Sequence, residues 1–393
     1  VEHRAFSRRR LLAVGLAAGV SLRAVGRGTR TDSPPVALED PLTGRKMERL
    51  TDPALGLRLP HHSERILDDR SNTLYMAGGA AGEFHLYEYD LRRERLTQVS
   101  EGSGLLSHSA TLDSRGRTLY YIQGNQLLRD GKTLQEIPSG WMATGALTIS
   151  DDGALAAWIE MREGDERADA VEQFARHPRC RLQLAPTNGG AVKTLAEEDN
   201  WLSTPRFRPG GGEILYAHEG PWGEVAGRLQ LISATGGSAR SLRERQGDEQ
   251  IGGEQWSADG SRIWFVHFPN DTLRGATART IDVEGAERTI SPCSAFGWFQ
   301  VNSDASAMVG ASKRPSGPNI YVLFPQLQRE ITLCEHGWSG KGDPVAGSAH
   351  IDPEAATPGP ILSRNSQWVY FTSAREGAPA VYRMKIEDLV SET

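Results

Sequence analysis

Seven times along this chain a short polar turn runs straight into a β-forming segment, and no other feature restricts the fold as much. One copy reads Asp113-Ser114-Arg115-Gly116-Arg117-Thr118-Leu119-Tyr120, another Ser257-Ala258-Asp259-Gly260-Ser261-Arg262-Ile263-Trp264. The others fall at residues 69–75, 150–156, 208–215, 302–308 and 363–369. Measured at Ser71, Gly116, Gly153, Gly211, Gly260, Ala305 and Ser366, the steps are 45, 37, 58, 49, 45 and 61 residues, close to one four-stranded propeller blade. Asp and Gly supply the chemistry of a tight hairpin, and the runs that follow are rich in Tyr, Ile, Trp and Val. Segments such as His85-Leu86-Tyr87-Glu88-Tyr89-Asp90 and Asn319-Ile320-Tyr321-Val322-Leu323 add alternating strands between the turns. The spacing predicts an all-β fold, a seven-bladed β-propeller. A pair of β-sandwiches, the alternative, would not repeat one turn signature seven times.

The two long steps mark insertions. Met161 to Arg176 is charged, with Ala168, Ala170, Val171, Phe174 and Ala175 forming a partial apolar face, and is expected to be a helical excursion. Gly337 to Pro360, rich in Gly, Pro, Ser and Ala, is expected to be a long surface loop. Val36 to Thr51 should supply a strand that closes the ring against the last blade, so that residues 36–393 form one propeller domain.

Composition narrows the partners. With 44 basic and 50 acidic residues the net charge is −6, and no basic stripe offers the counterion-releasing surface that a DNA or RNA partner needs. Three cysteines make neither a disulfide framework nor a zinc clasp. Residues 1–30 stand apart. Ser7-Arg8-Arg9-Arg10 precedes an apolar stretch from Leu11 to Val20, too short to span a bilayer as a helix but suited to a secretory h-region. The run resembles a twin-arginine export signal, so a periplasmic or extracellular protein without a membrane partner after signal removal is expected. The alternative is a basic anchor, but the segment lacks a polar face. Cleavage near Arg30 would leave 37 basic against 49 acidic residues, a net of −12. A monomer is expected.

Function has to come from side chains, because propellers host enzymes and binding modules alike. The strongest local cluster is His218-Glu219-Gly220-Pro221-Trp222, directly after the strand Ile214-Leu215-Tyr216-Ala217. An imidazole, a carboxylate and an indole on a Gly-Pro turn suit a sugar site, and equally a blade-to-blade turn whose histidine bonds to backbone.

Trp201-Leu202 with Pro205, Arg208-Pro209, His218-Glu219-Gly220-Pro221 and Arg228 together resemble the oligogalacturonate lyases, a seven-bladed propeller family. The likeness runs from about Asp40 to Met384 and takes in Cys180-Arg181-Leu182, Pro292-Cys293-Ser294, Val309-Gly310, His336 with Trp338, and Trp368-Val369-Tyr370-Phe371-Thr372-Ser373. The resemblance implies β-elimination on short oligogalacturonides in pectin breakdown. The proton at C5 is removed beside a carboxylate and the C4 glycosidic oxygen is expelled. Such chemistry needs a cation or arginine to neutralise the carboxylate and a base at C5. In the family a manganese-type ion is held by three histidines and a glutamine, another histidine is the base, and an arginine assists.

Carried over by position, the arginine is Arg228, a candidate clamp for a uronate carboxylate, with a surface ion pair to a residue such as Glu224 as its alternative. The family base falls on Gly253 of Gly253-Glu254-Gln255-Trp256, and a further family histidine on Thr204. The metal ligands fall near Trp298 and on Glu354, Thr357 and Gly359. His336, His350, Asp352 and Glu354 could build a shifted metal site, with Glu354 and His350 the weak metal candidates; scattered loop polar groups are the alternative. His61, His62 and His267 are isolated. Three readings follow: a uronide lyase using Arg228 and His218; a protein that holds acidic oligosaccharides through Arg228, His218, Trp201, Glu219, Trp222 and His336 without turning them over; or a scaffold that docks proteins.

Overall fold

The computed structural model describes residues 26–387 and 389, apart from 61–64, 69–71, 80–83, 167–171, 173–174, 221–223, 270–274, 313–316 and 338–356. Seven antiparallel sheets follow one another around a ring, as the repeat predicts. Their innermost strands number the blades from 1 to 7: Leu67–Asp68, Thr111–Leu112, Trp141–Ile149, Leu202–Phe207, Gln250–Trp256, Phe296–Val301 and Ile361–Leu362.

Each repeated turn is the hairpin between the first and second strands of a blade. The i+3 amide closes it: Gly116 N–H donates to Asp113 O at 2.9 Å, Gly153 to Ser150 O at 2.9 Å and Gly260 to Ser257 O at 2.9 Å. Those three glycines have φ of +63°, +74° and +67°, the left-handed conformation that glycine enters without a Cβ clash. Asn72, Ala305 and Ser366 hold the same conformation in blades 1, 6 and 7, and Gly210 holds it in blade 4. An aspartate side chain braces the turn: Asp259 accepts from the Ser257 and Ser261 hydroxyls and from the Ser261 amide. The turn is thus encoded in a handful of adjacent residues, which is why it could be read so directly.

Closure is double rather than single. Val36–Glu39 and Lys46–Arg49 form a hairpin, and the latter strand pairs with Ala380–Lys385 of blade 7. The N-terminal segment also reaches blade 1, where Arg30–Asp32 pairs with Arg95–Gln98, so the chain from Gly28 onward is hydrogen-bonded to the ring. Met161 and Arg162, expected to open a helical excursion, instead end the second strand of blade 3, Leu155–Arg162; half of the remaining excursion, with Ala168, Ala170, Val171 and Phe174 of its apolar face, lies outside the described residues.

Apolar packing is divided among the blade interfaces. Blades 3 and 4 meet through Ile159, Leu182, Trp201, Leu202 and Tyr216. Blades 5 and 6 meet through Val266, Phe296, Phe299 and Met308, and blades 6 and 7 through Trp298, Val322, Phe371 and Tyr382. Alternate residues of each strand point to opposite neighbours, so both sheet faces are buried and the polar residues are left to turns and to the channel. Cys180, Cys293 and Cys334 are free thiols. No helix among the described residues is long and apolar enough to cross a membrane.

Candidate functional site

The innermost strands share a defect that the sequence did not announce. In blade 4, Ser203 faces Ala217 while Arg206 faces Leu215, so an extra residue is squeezed in. One extra residue also stands in blade 5 between Gly252 and Gln255 and in blade 6 between Phe296 and Trp298, and two stand in blade 3 between Ala143 and Leu147. In blade 7, Thr372 N–H donates to Pro358 O while Ile361 faces Tyr370, again with a residue to spare. A bulge interrupts the ladder and turns a side chain out of the sheet plane, and here the bulges form a belt on the innermost strands of five blades. Thr204, Gly253, Trp298, Thr357 and Gly359, where the resemblance places family histidines, all fall in or beside this belt.

Backbone strain marks the belt. Gly145 and Gly253 have φ of +95° and +72°, and Thr204, a β-branched residue before Pro205, has φ of +45°. The Thr204 hydroxyl donates to Glu254 Oε1 at 2.7 Å, which helps to hold that conformation. A Cβ placed on Gly253 would lie 2.4 Å from the Phe299 ring. Backbone and neighbour together strain any side chain placed at Gly253, where the resemblance puts the family's base.

Beside the belt, Arg228 is buried between two carboxylates. Its Nη1 and Nη2 donate to the two oxygens of Glu219 at 2.6 and 2.9 Å; its Nε and Nη2 donate to Glu254 at 3.1 and 3.1 Å. Ser203 Oγ also donates to Glu219, and Arg206 Nε to the Glu254 carbonyl at 3.2 Å. Burial penalises the Glu254 charge, but the Arg228 charge and hydrogen bonds outweigh it and hold the carboxyl at about 2. Burial likewise disfavours the guanidinium, and the two carboxylates more than restore it, raising its pKa. On its far side lies a cavity of about 10 Å³ shared with Val225, Arg243, Arg245, Glu249 and Ile251, room for no more than a water molecule. The alternative of a surface pair with Glu224 does not hold: the pair is internal, with Glu219 and Glu254, while Glu224 meets His177 at 2.7 Å.

His218 and Arg228 are joined through the main chain, His218 N–H donating to Arg228 O at 2.8 Å, yet their side chains part. His218 Nε2 sits 2.9 Å from Glu198 Oε2, and its Nδ1 is 3.3 Å from Asn200 Nδ2. Tyr216 OH donates to the same Glu198 at 2.9 Å. The hydrogen bond from His218, the largest cause, outweighs burial with help from the imidazole charge and the tyrosine, and leaves Glu198 below its usual range. Residues 218 and 219 point to opposite sides, so the imidazole joins the blade 3 side and the carboxylate joins Arg228.

The other expected sugar contacts are corrected by burial. Trp201 is wholly buried in the core between blades 3 and 4, where no sugar can stack on it. Glu219 is consumed by Arg228 and Ser203. His336 is wholly enclosed; its N–H donates to Pro318 O at 2.6 Å and its Nε2 lies 3.3 Å from Ser312 O. Burial, the dominant cause, brings His336 down to about 4 and keeps it neutral. Trp222, His350, Asp352 and Glu354 lie outside the described residues, as do His61 and His62. Glu254 and Glu198, the carboxylates that organise the two arrangements, were not singled out from sequence; each meets its partner from another blade or strand, which no local pattern reports.

The manganese-type ion that the family resemblance implies does not suit the described residues at the positions where the resemblance puts its histidines. Trp298 packs in the core of blades 6 and 7, and Thr357 and Gly359 bring one hydroxyl between them. Among the described residues no three His, Cys, Asp or Glu side chains gather as ligands for a metal ion.

Comparison with known proteins places this geometry. A family model described as oligogalacturonate lyase matches residues 28–323. The chain is 27% identical over 380 residues to the oligogalacturonide lyase of Pectobacterium atrosepticum, covering 90% of this chain and 96% of that one. It is 26% identical over 382 residues to the oligogalacturonate lyase of Dickeya dadantii, with the same coverage. A solved oligogalacturonate lyase in complex with manganese superposes with a TM-score of 0.85 at 23% identity, over 93% of this chain and 100% of that one. With a propeller of the same build and a family match spanning five of its blades and most of a sixth, the chain belongs to the oligogalacturonate lyase family.

Proposed function

We propose that this protein takes short acidic oligosaccharides of the oligogalacturonide class into its channel, and that it holds them without the elimination machinery of its relatives. One observation carries this reading: Gly253, where the resemblance puts the family's base, brings no side chain, and its backbone at φ +72° with the Phe299 ring against it opposes one. The relatives named oligogalacturonide and oligogalacturonate lyase support the substrate class. The Ser7-Arg8-Arg9-Arg10 run supports an exported location, where a binding protein would meet such fragments of pectin.

A second reading, retained β-elimination, is favoured by the family match over residues 28–323 and would require a base and carboxylate-neutralising group from elsewhere in the chain. One experiment separates the two. The protein is incubated with digalacturonate, with and without a manganese salt, while its unfolding midpoint and the ultraviolet absorbance of an unsaturated or keto uronate are followed. The binding reading expects a raised midpoint, about 2.7 kcal/mol of stabilisation at a hundredfold excess over Kd, and no product. Product formation would overturn it in favour of the lyase, and neither a midpoint shift nor product with any uronide would overturn both.

A further inference from the structure

Each innermost strand ends in its repeated turn, beyond the belt, so the turns surround the other end of the channel. A hollow of about 270 Å³ opens there, lined by Asp68 of blade 1, Asp113 and Arg115 of blade 2, Gln300 of blade 6 and Arg364 of blade 7. Strand ends from four blades meet around one cavity only at the axis of the ring. Arg364 also lines a larger hollow of about 480 Å³ at the junction of blades 7 and 1, together with Trp368, Tyr370 and Arg383. The two hollows share Arg364 as a common wall.

Neither Arg115 nor Arg364 is needed by its turn. The residue before the left-handed position is Asp152, Asp259 and Asp304 in blades 3, 5 and 6, and each accepts from a serine hydroxyl of its own hairpin. Arg115 takes that place in blade 2, where Asp113 braces the turn instead by accepting from the Arg117 and Thr118 amides at 2.8 and 3.4 Å. In blade 7 the brace is Asn365, which accepts from the Ser363 hydroxyl at 2.7 Å, and Arg364 stands beside it. Both guanidinium groups are exposed, and among the described residues neither has a hydrogen bond or an ion pair. Arg65 on the same hollow is by contrast held by Asp151 at 2.7 Å. Two unpaired cations facing one concavity, in a chain of net charge −6, favour an anionic ligand there. Trp368 is half-buried against the core of blades 7 and 1, and the guanidinium carbon of Arg383 lies 4.5 Å from its ring centre.

We propose that Arg364, Arg115 and Trp368 form a subsite for an acidic oligosaccharide at the turn end of the channel. Trp368 walls the larger hollow with apolar surface for a sugar ring, Arg364 takes a carboxylate where the two hollows meet, and Arg115 takes another inside the smaller one. Successive uronic acid units carry one carboxylate each, so the pair of arginines selects that chemical class over neutral hexoses. This subsite rests on the proposed binding of acidic oligosaccharides in the channel.

The test is calorimetric titration of trigalacturonate, its methyl ester and neutral galactotriose into the wild type, Arg364→Gln, Arg115→Gln and Arg288→Gln, the last removing an exposed arginine on the outer strand Glu287–Pro292 of blade 5. The wild type is expected to bind trigalacturonate more tightly than its methyl ester or galactotriose. Arg364→Gln and Arg115→Gln should each weaken trigalacturonate about tenfold with an unchanged unfolding midpoint, and should make no difference to the methyl ester. Arg288→Gln should bind like the wild type. In protein labelled with 15N-tryptophan, trigalacturonate should shift the one indole resonance that is missing from Trp368→Phe. Wild-type binding that neither turn arginine affects, an equal loss in Arg288→Gln, or an unmoved Trp368 resonance at saturation would overturn the subsite and leave the proposed function standing. A wild type that binds no uronide would overturn both.

Discussion

Replacing Arg228 by methionine tests whether this guanidinium is a strut of the ring or a clamp for a ligand. At about 1.4 kcal/mol per pKa unit, the fall of Glu254 from 4.5 to about 2 corresponds to roughly 3 kcal/mol of stability at neutral pH. That agrees with the 3–5 kcal/mol typical of breaking a buried ion pair, since Glu219 and Glu254 would be left facing each other without a cation. With about 2.1 cal/mol/K of unfolding entropy per residue, a propeller of this length should lose about 4–7 °C in its midpoint. The pH dependence gives a second handle. In the wild type the depressed Glu254 contributes stability above its ordinary value of 4.5, and this is lost as pH falls toward 2. In Arg228→Met the two buried carboxylates repel, their pKa values rise above the unfolded ones, and the variant is relieved as pH falls. The gap between the two proteins should therefore be widest near pH 7 and narrow toward pH 4, as followed by scanning calorimetry. A variant as stable as wild type at pH 7, or one whose deficit does not change with pH, would refute the strut and return Arg228 to the ligand.

Restoring a histidine by Gly253→His should yield no elimination product from digalacturonate with manganese and should lower the midpoint, because the side chain must enter a left-handed backbone against Phe299; product in the ultraviolet assay would contradict this. Gly310→Ala should cost about 1–3 kcal/mol in chemical denaturation, since its Cβ would lie 2.5 Å from the Phe296 ring between blades 5 and 6. Deleting residues 26–49 removes both the pairing on Ala380–Lys385 and the strand on blade 1, so the ring should lose its cooperative thermal transition; a sharp transition at the wild-type midpoint would show that closure is dispensable.

Much of the architecture was legible because its signals are local. Asp259 and Gly260 make their turn with neighbours one to three residues away, so seven turns could be counted and their spacing measured without any tertiary information. The closing segment was legible for a related reason: Val36 to Thr51 had no blade of its own to join, although its second strand and the additional pairing of Arg30–Asp32 were not foreseen. The site was far less readable. Trp201 in a family-like stretch invited a stacking role, but a tryptophan just before a strand with two buried faces is a core residue first.

The amino-acid sequence alone determined that this chain is a ring of seven antiparallel blades and that it carries the marks of the oligogalacturonate lyase family, because turn chemistry and strand alternation act over a few bonds. Only the tertiary structure decided what its polar residues face. Arg228 and His218 part company because adjacent strand positions point to opposite sides, and Glu254, 26 residues beyond Arg228, arrives from the next blade to pair with it. The bulge at Gly253 meets Phe299, 46 residues further on, only because the ring sets the innermost strands of blades 5 and 6 side by side.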